Sequence, residues 1–378
     1  MGIRDPLRVL ITGLALALVI APMTTLAAPA RQMAPSELTV LVGAGQDTQQ
    51  LLNFFPASIR VHAGDTVTWN INGDELHSVS FTQNADFPPF PASSQAPAGK
   101  PGERIPTFAV PTPGGGPTDL MVNPLLGFPT RPPGAPVETY SGIGFASSGL
   151  LQKQTPPGAP PNKAMSLVFD TPGTYNYMCL VHTDRMFGTI EVVSEDQDAD
   201  SQDTITQRAR AEIASEMTLL GPAREVASAT KKEPGLNNST VSYVRAGMSD
   251  VFSGDGRAQL MEFLPKELTV KTGDTVVWGS SYFHTVSFTT TTPPPEFVVP
   301  MPQPAGPPFL TLNPLEVIPA KPAATYDPTK YYNSSDLGPF SPAGYSWSLA
   351  FDKPGTYAYL CMVHKDLGMK GTITVVAR

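Results

Sequence analysis

Residues 356–371 read T-Y-A-Y-L-C-M-V-H-K-D-L-G-M-K-G. The first half alternates, so Tyr357, Tyr359 and Cys361 fall on one side of a strand. The strand then breaks into a loop that carries His364 and Met369. A thiolate, an imidazole and a thioether are thus gathered within nine positions. Copper accepts sulfur and nitrogen donors in both of its oxidation states, which makes it the ion this set suits. A fourth donor is needed, and His284 in F-H-T-V-S-F is the candidate.

The same arrangement occurs upstream. T-Y-N-Y-M-C-L-V-H-T-D-R-M-F-G runs from Thr174 to Gly188, with His77 ahead of it in H-S-V-S-F. The two sets are His77, Cys179, His182 and Met186, and His284, Cys361, His364 and Met369. They belong to an internal repeat. F-F-P-A-S-I-R-V-H-A-G-D-T-V-T-W from Phe54 matches F-L-P-K-E-L-T-V-K-T-G-D-T-V-V-W from Phe263, and S-L-V-F-D-T-P-G-T-Y from Ser166 matches S-L-A-F-D-K-P-G-T-Y from Ser348. Val, Ile, Thr, Tyr and Trp dominate these segments, with Gly-Asp and Pro-Gly turns between them. The pattern predicts an all-β chain with one β-sandwich in each half.

The chain has 378 residues, enough for two domains with cores of their own. Charged residues are 15% and the net charge is −8, with no basic run to hold nucleic acid. The N-terminus has a basic start, an apolar run from Val9 to Ala21 and small residues near Ala30, which reads as an export signal or an uncleaved anchor over 1–30. Export implies the periplasm, cell surface or exterior. No cysteine follows the apolar run, so no lipid anchor is expected there. The remaining divisions are a first domain over 36–195, an acidic and helical linker over 196–236 and a second domain over 237–378. Cys179 and Cys361 hold equivalent places in the repeat, so a disulfide between them is not expected.

Long proline-rich stretches, 82–164 and 289–346, separate the histidine strand from the cysteine strand in each half. V-N-P-L-L-G-F-P-T-R-P from Val122 matches L-N-P-L-E-V-I-P-A-K-P from Leu312, which argues for ordered covering loops rather than disorder. In the linker, Ile205, Ala209, Ile213, Met217 and Leu220 follow helical spacing. Asp203 is the expected N-cap, Gly221-Pro222 the expected stop, and the stripe is expected to pack on one domain or to face solvent. His62 aligns with Lys271 and is expected at the surface. Met178 and Met362 are expected in the core, as are Trp69 and Trp278. Asn237, Asn238 and Asn333 stand in glycosylation-type triplets.

Taken with their flanks, both halves resemble the cupredoxins, specifically the plastocyanin/azurin-type blue-copper domains. The resemblance implies two tandem Greek-key sandwiches, one type 1 copper per half, and single-electron exchange with a redox donor and acceptor. It also implies that the loop histidines, His182 and His364, face the redox partner. Three residues separate His182 from Met186, but four separate His364 from Met369, so the two sites are expected to differ in potential. A two-domain copper oxidoreductase would need further histidines, and only His62 is left of five. An enzyme is therefore not expected. Copper storage or delivery would use the same ligands and stays open. Zinc is disfavoured, because a thioether is a poor ligand for it.

Overall fold

In the computed structural model, strands form where the sequence alternates. Residues 1–2, 34–82, 95–97, 104–116, 118–132, 134–154, 161–183, 185–250, 255–280, 282–322, 324–338 and 341–378 are described. The expected export segment and parts of the proline-rich stretches lie outside them.

Pro35–Arg378 forms one compact unit that contains both repeats. In the first half, Glu37–Gln46 pairs in parallel with Thr66–Ile71, which pairs antiparallel with Ala164–Val168. The sheet opposite runs in the order Ala146–Ser147, Ser80–Phe81, Gly173–Met178, Phe187–Val193, Ser58–His62. Val40, Val67, Trp69, Phe81, Phe169, Tyr177 and Ile190 close the core between them. The second half repeats this with Thr240–Ser249, Asp274–Gly279 and Ser346–Phe351 against a sheet that includes Gly355–Leu360 and Lys370–Val376. In both sandwiches the strand order differs from chain order, so crossovers join the two facing sheets. The Gly-Asp turns do more than reverse the chain. Asp65 accepts hydrogen bonds from the Ser36 and His62 amides, and Asp274 accepts them from Thr240 and Lys271.

The two sandwiches share one eleven-stranded sheet. Gln49–Phe55 pairs antiparallel with Ala258–Leu264, and Gln50 faces Gln259. Those two glutamines hold the same place in the repeat, four residues ahead of Phe54 and Phe263. The seam is therefore a local two-fold axis between the halves, as in a symmetric dimer made from one chain.

The linker covers this seam. It forms two helices, Gln202–Met217 and Leu220–Ser228. Ala209, Leu220, Ala223 and Ala227 pack with Leu51 and Phe55 of one half and Leu260 and Leu264 of the other. The stripe thus sits on both halves rather than one. Each of those large side chains stabilises the seam by about 1.5–3 kcal/mol through burial. Two local expectations are corrected. The N-cap is Ser201, whose hydroxyl accepts from the Thr204 amide, because a first-turn Asp203 can favour the helix dipole without capping it. Gly221-Pro222 lies in the first turn of the second helix, where a proline lacks no needed N–H.

The proline-rich stretches also meet at the axis. Ala109–Pro111, Leu120–Val122, Phe309–Leu312 and Val298–Met301 make a four-stranded sheet, joined across the halves where Met121 faces Thr311. Each of those residues lies two before an asparagine that caps a short helix, Asn123 or Asn313. Under this sheet lie Leu180, Met178 and Met362. The two methionines are buried as expected, but beneath the covering sheet and not inside a sandwich. Asn333 is also buried, bonded to Ser287, which removes it as a glycan acceptor. Asn237 and Asn238 stay exposed.

Candidate metal centres

Each cysteine ends a strand and begins the loop that returns to the next one. The Cys179 amide donates to the Met186 carbonyl at 3.0 Å, and the Met186 amide donates to the His182 carbonyl at 3.1 Å. Cys361, Met369 and His364 repeat the same closure at 3.0 and 3.1 Å. The extra residue of the second loop is absorbed without changing how the loop closes. Both methionines are fully buried in the same clusters as their cysteines.

The expectation of a strand at the upstream histidines is corrected: His77 makes only an isolated bridge to Leu151, and His284 lies in the loop ahead of Ser287–Phe288, its carbonyl accepting from the Leu337 amide at 2.9 Å. Cys179 Sγ lies 3.9 Å from His77 Nδ1 and 3.5 Å from His182 Nδ1. Cys361 Sγ lies 3.9 Å from His284 Nδ1 and 3.4 Å from His364 Nδ1. In each half one donor atom from each of the three residues lies within 4.8 Å of the others. Two ligands held at ordinary metal–sulfur and metal–nitrogen lengths, about 2.3 and 2.0 Å, subtend roughly 105–130° at such separations. One ion can therefore serve all three donors in each half. Both thiols are free and buried. Each also accepts a backbone N–H, from Ser78 at 3.3 Å and from Thr285 at 3.4 Å, which steadies a thiolate away from water.

The Nε2 atoms of His77 and His284 have no hydrogen-bond partner. They press instead on glycines. A Cβ on Gly43 would lie 2.3 Å from His77 Nε2, and one on Gly247 would lie 2.0 Å from His284 Nε2. Both glycines have positive φ, at +66° and +73°, and the strand register shifts at each. These are β-bulges that make room for an imidazole. The two glycines hold matching places, in V-G-A and A-G-M, and that match is the sequence signal that could have found them. His62 belongs to neither group. It bonds the Gln197 carbonyl at 2.9 Å.

The two sites differ in what covers them. Each ligand loop leans on the opposite half. Arg185 stacks on Tyr282 at 4.5 Å, and the Arg257 side chain donates to the Arg185 carbonyl at 3.0 Å. On the other side, His364 Nε2 meets Glu75 Oε2 at 3.5 Å. Glu75 and Tyr282 are repeat counterparts, each two residues before the upstream histidine. His182 is partly exposed, whereas His364 is only 5% exposed. The expectation that His364 faces a partner is thus corrected, because a side chain from the first half covers it.

That contact separates the two thiols electrically in the metal-free chain. Burial opposes charge on Glu75, yet His364, His182 and His77 outweigh it and hold the carboxyl at about 2. Burial likewise opposes charge on His364, but Glu75 and Cys361 push its imidazole up to about 10. Burial pushes the Cys179 thiol up. Cys361 feels the same burial, but the charged His364 and the hydrogen bonds from His284 and His364 hold it well below the usual thiol range.

Glu316 is a second departure from the repeat, since its counterpart Leu126 is an apolar residue at the same place in the short helix. It is buried and accepts hydrogen bonds from Ser287, Asn333 and Tyr331. Burial raises its carboxyl from 4.5 to about 7. An unfolded chain loses this proton first, so the folded state is favoured below pH 4.5 and loses stability as pH rises through about 7. Glu316→Gln removes that penalty. Denaturation of the metal-free protein should show little gain below the unfolded value and about 3 kcal/mol at alkaline pH. An equal gain at both ends would contradict the assignment.

Residues 250–376 match the model of copper binding proteins, plastocyanin/azurin family. A plastocyanin from Scenedesmus fuscus is 59% identical over 32 residues, which make up 8% of this chain and 33% of that protein. The chain thus spans about a third of the length of the curated relative it matches. Among solved structures, a mutant plastocyanin of fern is 23% identical and aligns over 35% of this chain and 99% of its own, with a TM-score of 0.20. A purple cupredoxin from Nitrosopumilus maritimus is 17% identical over 35% of this chain and 98% of its own, with a TM-score of 0.19.

Proposed function

We propose that this chain, a plastocyanin/azurin-type protein over residues 250–376 that carries the same pattern again upstream, is an exported electron carrier with one type 1 copper in each half. The observation that carries the reading is the convergence of two imidazoles and one buried thiol in both repeats. His77, Cys179 and His182 would hold one ion with Met186 as the axial donor. His284, Cys361 and His364 would hold the other with Met369. Copper bound there would gain and lose one electron without a proton or a substrate.

The residues around it keep that exchange cheap. His77 is fixed by its bridge to Leu151 and His284 by the hydrogen bond its carbonyl accepts from Leu337, each against a bulge, and each loop is closed by its own backbone hydrogen bonds. Ligands held this way have little room to rearrange between oxidation states. The covering sheet keeps water from the Leu180 and Met362 side. The partly exposed His182 is the port to a redox donor or acceptor, since His364 is covered. Export rests on residues 1–30, and N-terminal sequencing of the mature protein checks it.

A metal count and a visible spectrum of the oxidised protein test the reading. Two coppers per chain and an intense thiolate-to-copper band are the expected result. Zinc in place of copper would overturn it. Ready loss of copper to a chelator would favour the storage or delivery role that the same ligands allow.

A further inference from the structure

Glu75 is a buried carboxylate that the first half supplies to the second half's metal site. Its side chain is 6% exposed and Oε2 lies 3.5 Å from His364 Nε2. Its backbone leads through Leu76 to His77, a ligand candidate of the other site. Gln50 Oε1 accepts the Glu75 amide at 3.4 Å and the Asp74 amide at 3.2 Å, so the segment is tied to the two-fold seam. The repeat places Tyr282 where a symmetric molecule would put a second carboxylate. Tyr282 instead stacks under Arg185 and donates to Ser249. The halves therefore match in ligands and differ in the charge brought to them.

We propose that Glu75 is a positioning residue that holds His364 from across the seam and sets the second site to a lower potential than the first. The inference rests on the two-copper reading above. The physical reason is Coulombic. Oxidation raises the charge at a copper site by one unit, and a nearby carboxylate stabilises the more positive state. A carboxylate that accepts from the far nitrogen of a ligand imidazole also makes that imidazole a stronger donor, which again favours the oxidised ion. Glu75 contacts His364 directly, so the second site is expected to respond more than the first. With this order, one electron leaves the reduced second site for the oxidised first site with favourable free energy. His182, at the first site, then passes it outward.

The test is a redox titration in the full chain. Cys179→Ser leaves only the second site to titrate, and Glu75→Gln is added to it. Glutamine keeps the shape and an acceptor oxygen but removes the charge. At a fixed poise the reduced-to-oxidised ratio of the second site should rise at least tenfold, which is about 59 mV for one electron. In the Cys361→Ser background the same change should move the first site less. An unchanged second-site ratio in Glu75→Gln, with its visible band intact, would overturn the proposal. So would a shift seen only in Glu75→Ala, because that would assign Glu75 to packing alone. A Cys179→Ser chain that binds no copper at all would instead overturn the two-copper reading on which the proposal stands.

Discussion

Cys361→Ser is expected to remove one copper and one thiolate band from the chain and to leave the other set in place. Cys179→Ser is expected to do the converse. The reason is that each site takes its sulfur from one buried thiol, and no donor atom is shared between the two groups. A hydroxyl is a poor ligand for Cu(I) and gives no low-energy charge-transfer band, so the affected site loses both its colour and most of its affinity. The fold should survive. Serine still accepts the amide hydrogen bond from Thr285 or Ser78, and one such buried bond contributes only about 1 kcal/mol. Metal analysis with a visible spectrum reads the outcome. A single substitution that removes all copper from the chain would show that the two groups do not each hold an ion independently.

Gly247→Ala should disable the second site without touching a ligand. A methyl group there would sit 2.0 Å from His284 Nε2, far inside contact distance. Two costs add. The backbone at φ +73° disfavours a side chain by about 1–2 kcal/mol. Relief of the clash must move the imidazole, and so Nδ1, away from Cys361, or else overpack the core by about 1–3 kcal/mol. Copper affinity at this site should fall by at least about 10–100-fold, the scale seen when support behind a ligand is lost. Gly43→Ala should do the same at the first site, where the methyl would lie 2.3 Å from His77 Nε2. Gly64→Ala is the control. Its φ is +97° but no atom lies near the added carbon, so it should lower stability slightly and keep both coppers. Equal copper retention in Gly247→Ala and Gly64→Ala, by equilibrium dialysis, would refute the argument.

Much of the candidate site is legible in the chain because its chemistry is local. Cys361, His364 and Met369 lie on one loop, and the strand before them announces itself by period two. The repeat then supplies the second copy and aligns His77 with His284. The linker helix was legible as a stripe, but which surface it covers was not. Ile205 packs into the first core and Ala209 into the seam, a division set by the place of the two sandwiches. Gly43 and Gly247 look like ordinary strand glycines until a histidine from a distant segment is seen against them. Glu75 reads as one acidic residue in a turn. It became part of a site only because His364, far along the chain, folds against it.

The sequence alone determined the all-β class, the two-fold repetition and the eight candidate ligands, since short-range spacing and self-similarity carry that information. Tertiary structure decided how the halves are joined, that the proline-rich stretches pair into one shared cover, and that His364 is buried while His182 stays partly exposed. Those features depend on residues brought together across the Gln50–Gln259 axis. Pairing between distant segments leaves no periodic trace in either, so only the folded chain shows it.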